Sequence, residues 1–224
     1  MSKIRAFRTT LVLLLLAAAV SGAVSAAGAQ AYNYPALQTP VLVEREYNFA
    51  AASASRAGTS LLVQWREALS PGWQSTLEGG LGAPPNEAAR LILGGTIAWQ
   101  AKRSKDDFPL DVALTAGLGL SIAGGNSVLR LPVGAVVGHT FDLQDGFRIT
   151  PFVHPRLSID RCSECRERRL PDGKLSVDVD VGADFLLTPQ ISLRVAALLG
   201  GSAYVGGSSS VGLSLAWTPK GLRK

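Results

Sequence analysis

The sequence is poor in the residues that most active-site chemistry needs. It has two cysteines and two histidines in 224 residues. No His, Cys, Asp and Glu cluster shows metal-ligand spacing, no glycine-rich loop is placed to cradle phosphate, and no nucleic-acid motif is present. No cofactor is expected. Beyond the amino end, no segment stays apolar for the ~20 residues that a spanning helix requires, and no long helical pattern with caps occurs. These absences exclude a helical membrane protein and the common nucleotide- and metal-dependent enzymes.

The charge also carries less than it suggests. Twenty-two Lys+Arg against 17 Asp+Glu give +5. Lys3, Arg5 and Arg8 stand before the apolar run "TTLVLLLLAAAVSGAVSA", and "AGA" (27–29) and "AQA" (29–31) offer small-x-small steps. A basic start, a short apolar core and a small-residue exit make a secretory signal peptide over residues 1–31. Without those three cations the charge falls to about +2, too balanced to favour nucleic acid.

What is abundant is alternation. Leu110, Val112, Leu114, Ala116, Leu118, Leu120 and Ile122 share one parity, while Asp111, Thr115, Gly117, Gly119 and Ser121 share the other. Period two is the mark of a strand with one apolar face. Thirteen residues at ~3.3 Å each, tilted by roughly 40°, rise about 33 Å, enough to cross the hydrocarbon layer. The pattern recurs at 41–53, 59–69, 73–82, 89–100, 128–141, 147–160, 175–187, 191–199 and 208–218. That predicts ten antiparallel strands, or eight if weaker ones merge. The connections "LSPG", "DLQDG" and "TPQ" are short and fall on one side, while "DRCSECRERRLPDGK" falls on the other. Short turns on one side and longer loops on the other fit an all-β transmembrane up-and-down barrel with turns in the periplasm.

Aromatic residues mark one rim. Trp65, Trp73, Trp99, Phe141, Phe147, Phe185 and Trp217 lie near the turn-side ends of their strands, with lipid-facing parity. Such rings favour the membrane–water interface. Tyr47 and Phe49 read as nearer mid-strand. The chain ends in "SVGLSLAW", in which Ser210, Gly212, Leu215 and Trp217 resemble the carboxy-terminal signal read by the barrel-assembly machinery. With the strand pattern over about residues 40–218, the chain resembles the small outer-membrane β-barrels of the OmpA/OmpX and opacity-protein type. That resemblance implies an outer membrane of the Gram-negative type, lipid and lipopolysaccharide as neighbours, assembly by that machinery and a monomer. Members usually stop at the aromatic residue, whereas this chain continues with "TPKGLRK". The implied division is a signal peptide at 1–31, a periplasmic linker at 32–40, the barrel at 41–218 and a periplasmic tail at 219–224.

The opposite parity is charged. Arg66, Glu78, Arg90, Asp111, Arg130, Arg148, His154, Arg156, Asp178, Asp180, Asp184 and Arg194 all point inward, because a charge facing the bilayer midplane costs several kcal/mol. Setting Ile159 opposite Leu175, and Leu187 opposite Ile191, places Arg156 against Asp178, His154 against Asp180 and Arg194 against Asp184. Side chains nearly fill so narrow a lumen. A structural or surface-interaction role is therefore expected, and no enzyme. A narrow porin-like channel, a lipid-modifying hydrolase using His154 with Ser158 and Asp180 (or His139), and a soluble periplasmic lipophile-binding barrel are the alternatives. Cys162 and Cys165 form C-x-x-C in the longest loop. No histidine in that loop completes a zinc site, so a disulfide is expected in an oxidising compartment. Arg161, Arg166, Arg168 and Arg169 around it form a solvated tip or a contact for lipopolysaccharide phosphate. Pro132, Pro151 and Pro155 fall within proposed strands, where each removes a ladder donor, so bulges or strand ends are expected there.

Trp217→Ala is expected to lower insertion into the outer membrane, whereas deletion of residues 218–224 is expected to matter much less. Quantifying the folded protein in membrane fractions checks both.

Overall fold

The computed structural model describes residues 34–54, 58–84, 88–105, 108–123, 126–143, 146–163, 173–200 and 209–221. The signal-peptide assignment lies outside the described residues, as do Cys165, Arg166, Arg168 and Arg169.

Alternation becomes pairing. The strands are β1 (Arg45–Ala54), β2 (Gly58–Ser70), β3 (Trp73–Ala83), β4 (Arg90–Lys102), β5 (Asp111–Ala123) and β6 (Asn126–Gly138). There follow the two-residue β7 (Phe141–Asp142), β8 (Arg148–Cys162), β9 (Gly173–Leu186), β10 (Ile191–Gly200) and β11 (Ser210–Trp217). Each long strand lies antiparallel to its neighbour in sequence, β6 pairs directly with β8, and β1 pairs with β11. The sheet therefore closes into a ten-stranded barrel, with β7 as a short hook on the start of β8. Closure removes the open edges that lipid cannot tolerate. Merging to eight strands does not occur.

The two faces differ as the parity requires. Leu61, Leu77, Leu81, Val177 and Leu175 stand well exposed on the outside. Arg66, Arg130, Arg194 and Glu46 are at most 1% exposed inside. An apolar outer surface around a charged interior is the inverse of a water-soluble globule and fits a transmembrane barrel. Pro71 and Gly72 turn β2 into β3, with Gly72 at φ 78°, the left-handed conformation that the third residue of such a turn requires.

The prolines are absorbed without bulges. The β5–β6 register runs from Ala116↔Val133 to Gly119↔Arg130 with no shift, and pairing lapses at the residues between, beside Pro132. The β6–β8 register likewise runs from Gly134↔Arg156 to Val137↔Val153, lapsing beside Pro155. A proline has no N–H to donate, so the ladder loses rungs while the strands keep step. Pro151 lies just beyond the β6 partner region, and its carbonyl accepts the His139 N–H at 3.4 Å. The bulges expected at these prolines occur elsewhere, at Ala68/Ser70 and Gln100/Lys102.

Two strand boundaries differ from the sequence expectation by three residues or more. β6 ends at Gly138 instead of 141. β1 begins at Arg45 instead of 41, because the chain before it does not run outside the barrel. Residues 34–40, expected as a periplasmic linker, lie inside the lumen, where Tyr34, Leu37, Gln38 and Thr39 are buried.

Val63→Arg places a cation on the outer face of β2, where Val63 is exposed. It is expected to destabilise the barrel folded in lipid by about 2–4 kcal/mol, read from urea titration in vesicles. A barrel with a water-facing exterior would tolerate the change.

Candidate functional site

The lumen is where the polar chemistry converges. Ten strands leave an interior that side chains can nearly fill, and the amino-terminal segment fills much of what remains. That segment, residues 34–44, enters at the rim where β1 begins. Buried backbone groups must find partners, and lumen side chains supply them. Gln74 Nε2 donates to the Val43 carbonyl at 2.7 Å. Gln100 Nε2 donates to the Pro40 carbonyl at 2.8 Å, and its Oε1 accepts the Leu42 N–H at 3.0 Å. Farther in, Asp180 Oδ2 accepts the Ala36 N–H at 3.4 Å.

Leu37 is the clasp. It is fully buried at φ 53°, a left-handed conformation that is rare for a leucine and costs about 1 kcal/mol or more. Its carbonyl accepts from Arg66 Nη2 at 2.9 Å and from Arg194 Nη1 at 3.3 Å. Two buried guanidiniums thus grip one strained residue. The wall also makes room for the segment. A Cβ on Gly212 would sit 3.3 Å from the Pro35 ring, and one on Gly138 would sit 2.9 Å from the Pro40 ring.

Glu46 neutralises the two arginines. Its Oε1 accepts from Arg66 Nη1 at 2.8 Å and from Arg194 Nη1 at 2.7 Å, while its Oε2 accepts from Arg194 Nη2 at 2.6 Å. Arg194 Nε donates to Asp184 Oδ1 at 2.7 Å. Two cations and two anions form a chain across β2, β1, β10 and β9. The fork of Arg194 holds Glu46 with two parallel bonds, the stronger geometry for such pairs.

A second cluster lies on β6, β8 and β9. Arg130 meets Asp160 at 3.1 Å and bonds Asp178. Its Nε and Nη2 both donate to Ser158 Oγ. Arg156 stands opposite Asp178 in register, but its Nη2 donates to Asp180 Oδ1 at 2.8 Å. The long side chain reaches a diagonal partner, leaving Asp178 to the arginine on β6. His154 stands opposite Asp180, with Nδ1 3.3 Å from Oδ2. Its Nε2 is 2.9 Å from Thr115 Oγ1. Ser158, grouped with His154 on the sequence, instead serves Arg130.

The remaining expected lumen residues are placed as follows. Glu78 accepts from Gln64 Nε2 at 2.8 Å. Arg90 is buried near the loop end of β4. Asp111 lies at the turn-side end, where it accepts the Ser104 N–H at 2.9 Å and faces Arg103 at 3.6 Å. Arg148 is not in the lumen. It has inward parity, but it is the first residue of β8, so its side chain clears the rim and pairs with exposed Asp142 at 2.6 Å. A cavity of about 30 Å³ remains between segment and wall, lined in part by Tyr34, Gln38, Glu78, Thr115, His154 and Arg156. That is room for a water molecule or two. Among the described residues, no cluster fit to hold a metal ion occurs.

At the rim, Trp73 stacks on Trp99 at 6.1 Å and Tyr47 on Trp217 at 5.5 Å. Tyr47 therefore belongs to the aromatic band and not to mid-strand, because β1 starts four residues later than its hydropathy suggests. Trp65 and Phe141 are exposed, Phe185 is half-buried on the outer parity, and Phe147 lies in the turn before β8. His139 packs edge-on against Phe141 at 4.6 Å. In β11, Ser210 and Gly212 face inward, while Leu215 and Trp217 face out. Cys162 ends β8 and is disulfide-bonded.

Sequence reasoning missed Glu46 and the whole lumen segment, and it gave Asp160 and Thr115 the inward parity without a partner. Glu46 and Asp160 share the inward parity of their strands, which was the available signal. For the segment, the signal was "YPALQTP", too apolar for a solvated linker.

Arg194→Ala strands Glu46, Asp184 and the Leu37 carbonyl, and is expected to cost about 3–5 kcal/mol. Asp184→Ala leaves Arg194 with Glu46 and is expected to cost about 1–2 kcal/mol. The double change is expected to lose less than the sum by at least ~0.5 kcal/mol, measured by urea unfolding of the refolded barrel.

No protein family and no curated protein matches the sequence. Among solved structures, the chain is similar to the β domain of the Bordetella autotransporter BrkA at 11% identity, covering 80% of this chain and 100% of that one, with a TM-score of 0.44. It is similar to LpxR from Salmonella typhimurium at 9% identity, covering 78% of this chain and 100% of that one, with a TM-score of 0.45. It is also similar to the NanC porin at 9% identity, covering 78% of this chain and 100% of that one, with a TM-score of 0.42. Likenesses at this level decide nothing about role, and the barrel rests on its own closed pairing.

Proposed function

We propose that this protein is an outer-membrane barrel of structural or surface-interaction role, sealed by its own amino-terminal segment. The observation that carries this reading is the double grip of Arg66 and Arg194 on the Leu37 carbonyl. A segment lying loosely in a pore would not hold a strained, fully buried leucine between two guanidiniums. The charged groups Glu46, Arg66, Arg130, Arg156, Asp178, Asp180, Asp184 and Arg194, which would line a water-filled channel, are instead engaged with one another and with the segment.

The finer resemblance, to the OmpA/OmpX and opacity-protein type, is supported by the carboxy-terminal "SVGLSLAW" and by a barrel that closes within one chain, although ten strands exceed the eight of the commonest members. In this reading the turn-side rim faces the periplasm and the loop between β8 and β9 faces outward. Arg161 is then an outer-surface cation that meets lipopolysaccharide phosphate, and the assembly machinery reads Leu215 and Trp217 at the end of β11. The partners are lipid, lipopolysaccharide and that machinery.

Planar-bilayer recording tests the seal. The intact protein is expected to conduct poorly. Replacing residues 34–42 by a Gly/Ser linker of equal length is expected to produce open steps, because the segment's volume becomes water. Large, stable conductance from the intact protein would instead establish a porin-like channel.

A further inference from the structure

Beside the closing seam of the barrel, the outward parity carries an ion pair that hydrocarbon cannot solvate. Arg45 on β1 and Glu67 on β2 stand directly opposite each other. Arg45 Nε donates to Glu67 Oε2 at 2.6 Å and its Nη2 donates to Oε1 at 2.7 Å, while Trp65 Nε1 donates to Oε2 at 3.1 Å. The two side chains are 43% and 30% exposed. Charge is costly within the hydrocarbon layer, so the pair belongs at headgroup depth. Tyr47 and Trp65, one pleat farther into the wall, are opposed in register, and Tyr47 stacks on Trp217. Such rings mark the interface. Among the described residues, Arg45 Nη1 has no acceptor, so it keeps N–H groups for another anion.

Two hollows meet at this pair. On the rim side, a cleft of about 760 Å³ opens beside Arg45, Glu67 and Trp73. Ala68, Ser70 and Gln100, where the two register shifts fall, line it as well. A bulge bends its strand out of the regular ladder, and the cleft lies between the two bends. Its ionisable lining is Glu44, Arg45, Glu67 and Arg103, two charges of each sign. On the membrane side, the outer face of β1 drops from Tyr47 and Phe49 to Ala51, while β2 and β11 keep Leu61, Val63, Leu213 and Leu215 alongside. The result is an apolar groove of about 600 Å³ with Ala51 on its floor. The six-residue step from Arg45 to Ala51 covers about 20 Å of strand, or roughly 15 Å of depth at a tilt near 40°. That is about half of the ~30 Å hydrocarbon layer. An acyl chain whose headgroup sits at Arg45 therefore reaches the groove within its own leaflet.

We propose that the outer faces of β1, β2 and β11 form a binding site for one zwitterionic phospholipid that carries an ammonium, seated in the leaflet at the turn side. Arg45 Nη1 donates to the phosphate, and Glu67 accepts from the ammonium. Tyr47 and Trp65 flank the glycerol region, and one acyl chain lies over Ala51. A lining with two charges of each sign matches a lipid that carries one of each. An anionic lipid would bring its charge to Glu67 with no cation of its own to offset it. An exposed Arg–Glu pair contributes little by itself, so sharing its charges with phosphate and ammonium costs little. The lipid also covers the β1–β11 junction. There β1 has Ala50, Ala52 and Ala54 on its inner face and Ala51 on its outer face, and the acyl chain supplies the bulk that these side chains lack. The site rests on the proposed partnership with lipid and not on the lumen seal.

The test uses the folded full-length barrel, taken into detergent from vesicles of phosphatidylethanolamine and phosphatidylglycerol in equal amounts, with native mass spectrometry as the readout. The expected result is one phosphatidylethanolamine held per barrel, preferred about tenfold over phosphatidylglycerol, the equivalent of one charge-assisted hydrogen bond. Arg45→Gln and Glu67→Gln are each expected to lose that preference. Ala51→Leu, which fills the groove, is expected to lower retention about fivefold or more. Ala51→Val fills less of it and is expected to give a smaller loss, which keeps the groove testable if the leucine variant fails to fold. Arg148→Gln breaks a second exposed rim pair, with Asp142, and is expected to leave retention unchanged. Equal or greater retention of phosphatidylglycerol would overturn the zwitterion site, as would retention indifferent to Arg45→Gln and to both changes at Ala51. A dimer that Ala51→Leu dissociates would overturn it in favour of a second copy in the groove. Insertion into vesicles is scored separately by heat-modifiable mobility. A barrel that inserts but holds no lipid overturns this site alone, whereas one that does not insert overturns the lipid partnership with it.

Discussion

The Glu46 carboxylate is the point on which the interior depends. It is wholly buried and holds Arg66 and Arg194 at hydrogen-bond distance. Without it, two guanidiniums from strands on either side of β1 would face each other in a lumen with little water. With it, each arginine has a free donor left over, and both aim those donors at the Leu37 carbonyl. The charge chain therefore does two things. It ties β2, β1, β10 and β9 together from inside, across the junction where the first and last strands close the barrel. It also fixes the amino-terminal segment along the axis. Burying such pairs is costly, and their net contribution over an apolar core is small. In a barrel whose exterior must be apolar, however, the interior is the available place for charge.

The second cluster shows how side-chain length overrides backbone register. Arg156 and Asp178 are directly opposed, yet Arg156 bonds Asp180 and Arg130 takes Asp178. Diagonal partners two residues away lie within reach of a guanidinium. Opposed charges in a sheet therefore name a neighbourhood, while the pairing is decided by which arginine on a third strand competes for the same carboxylate. Here that strand is β6, whose Arg130 was assigned to the lumen from its parity but to no partner.

β6 is also the least firmly held part of the wall. Its ladders to β5 and β8 both lapse, beside Pro132 and Pro155. Its Gly134 allows side chains from the flanking strands to meet above it. Gly134 lies between the two lapses, at residues 131–132 and 135–136 of β6, and the Thr115–His154 contact lies beside it. Elsewhere the described ladders are interrupted at the register shifts of Ala68/Ser70 and Gln100/Lys102.

The sequence by itself determined the barrel. Period-two alternation is imposed by lipid outside and water or charge inside, so parity sorted Arg66, Arg130, Arg156 and Arg194 into the lumen and Trp65, Trp73, Trp99 and Trp217 onto the outer rim. Turn spacing set the β8–β9 and β9–β10 registers, because a hairpin of known length leaves few ways to pair. Only the tertiary structure decided the rest. Residues 34–44 carry no alternation, since a segment surrounded by wall on every side has no outer face to distinguish, so their place in the lumen was illegible. Arg148 has the right parity but the wrong height, which parity does not encode. Thr115 and His154 are 39 residues apart on strands that do not touch. Their meeting depends on a glycine in a third strand, and contacts across an intervening strand exist only once the barrel has closed.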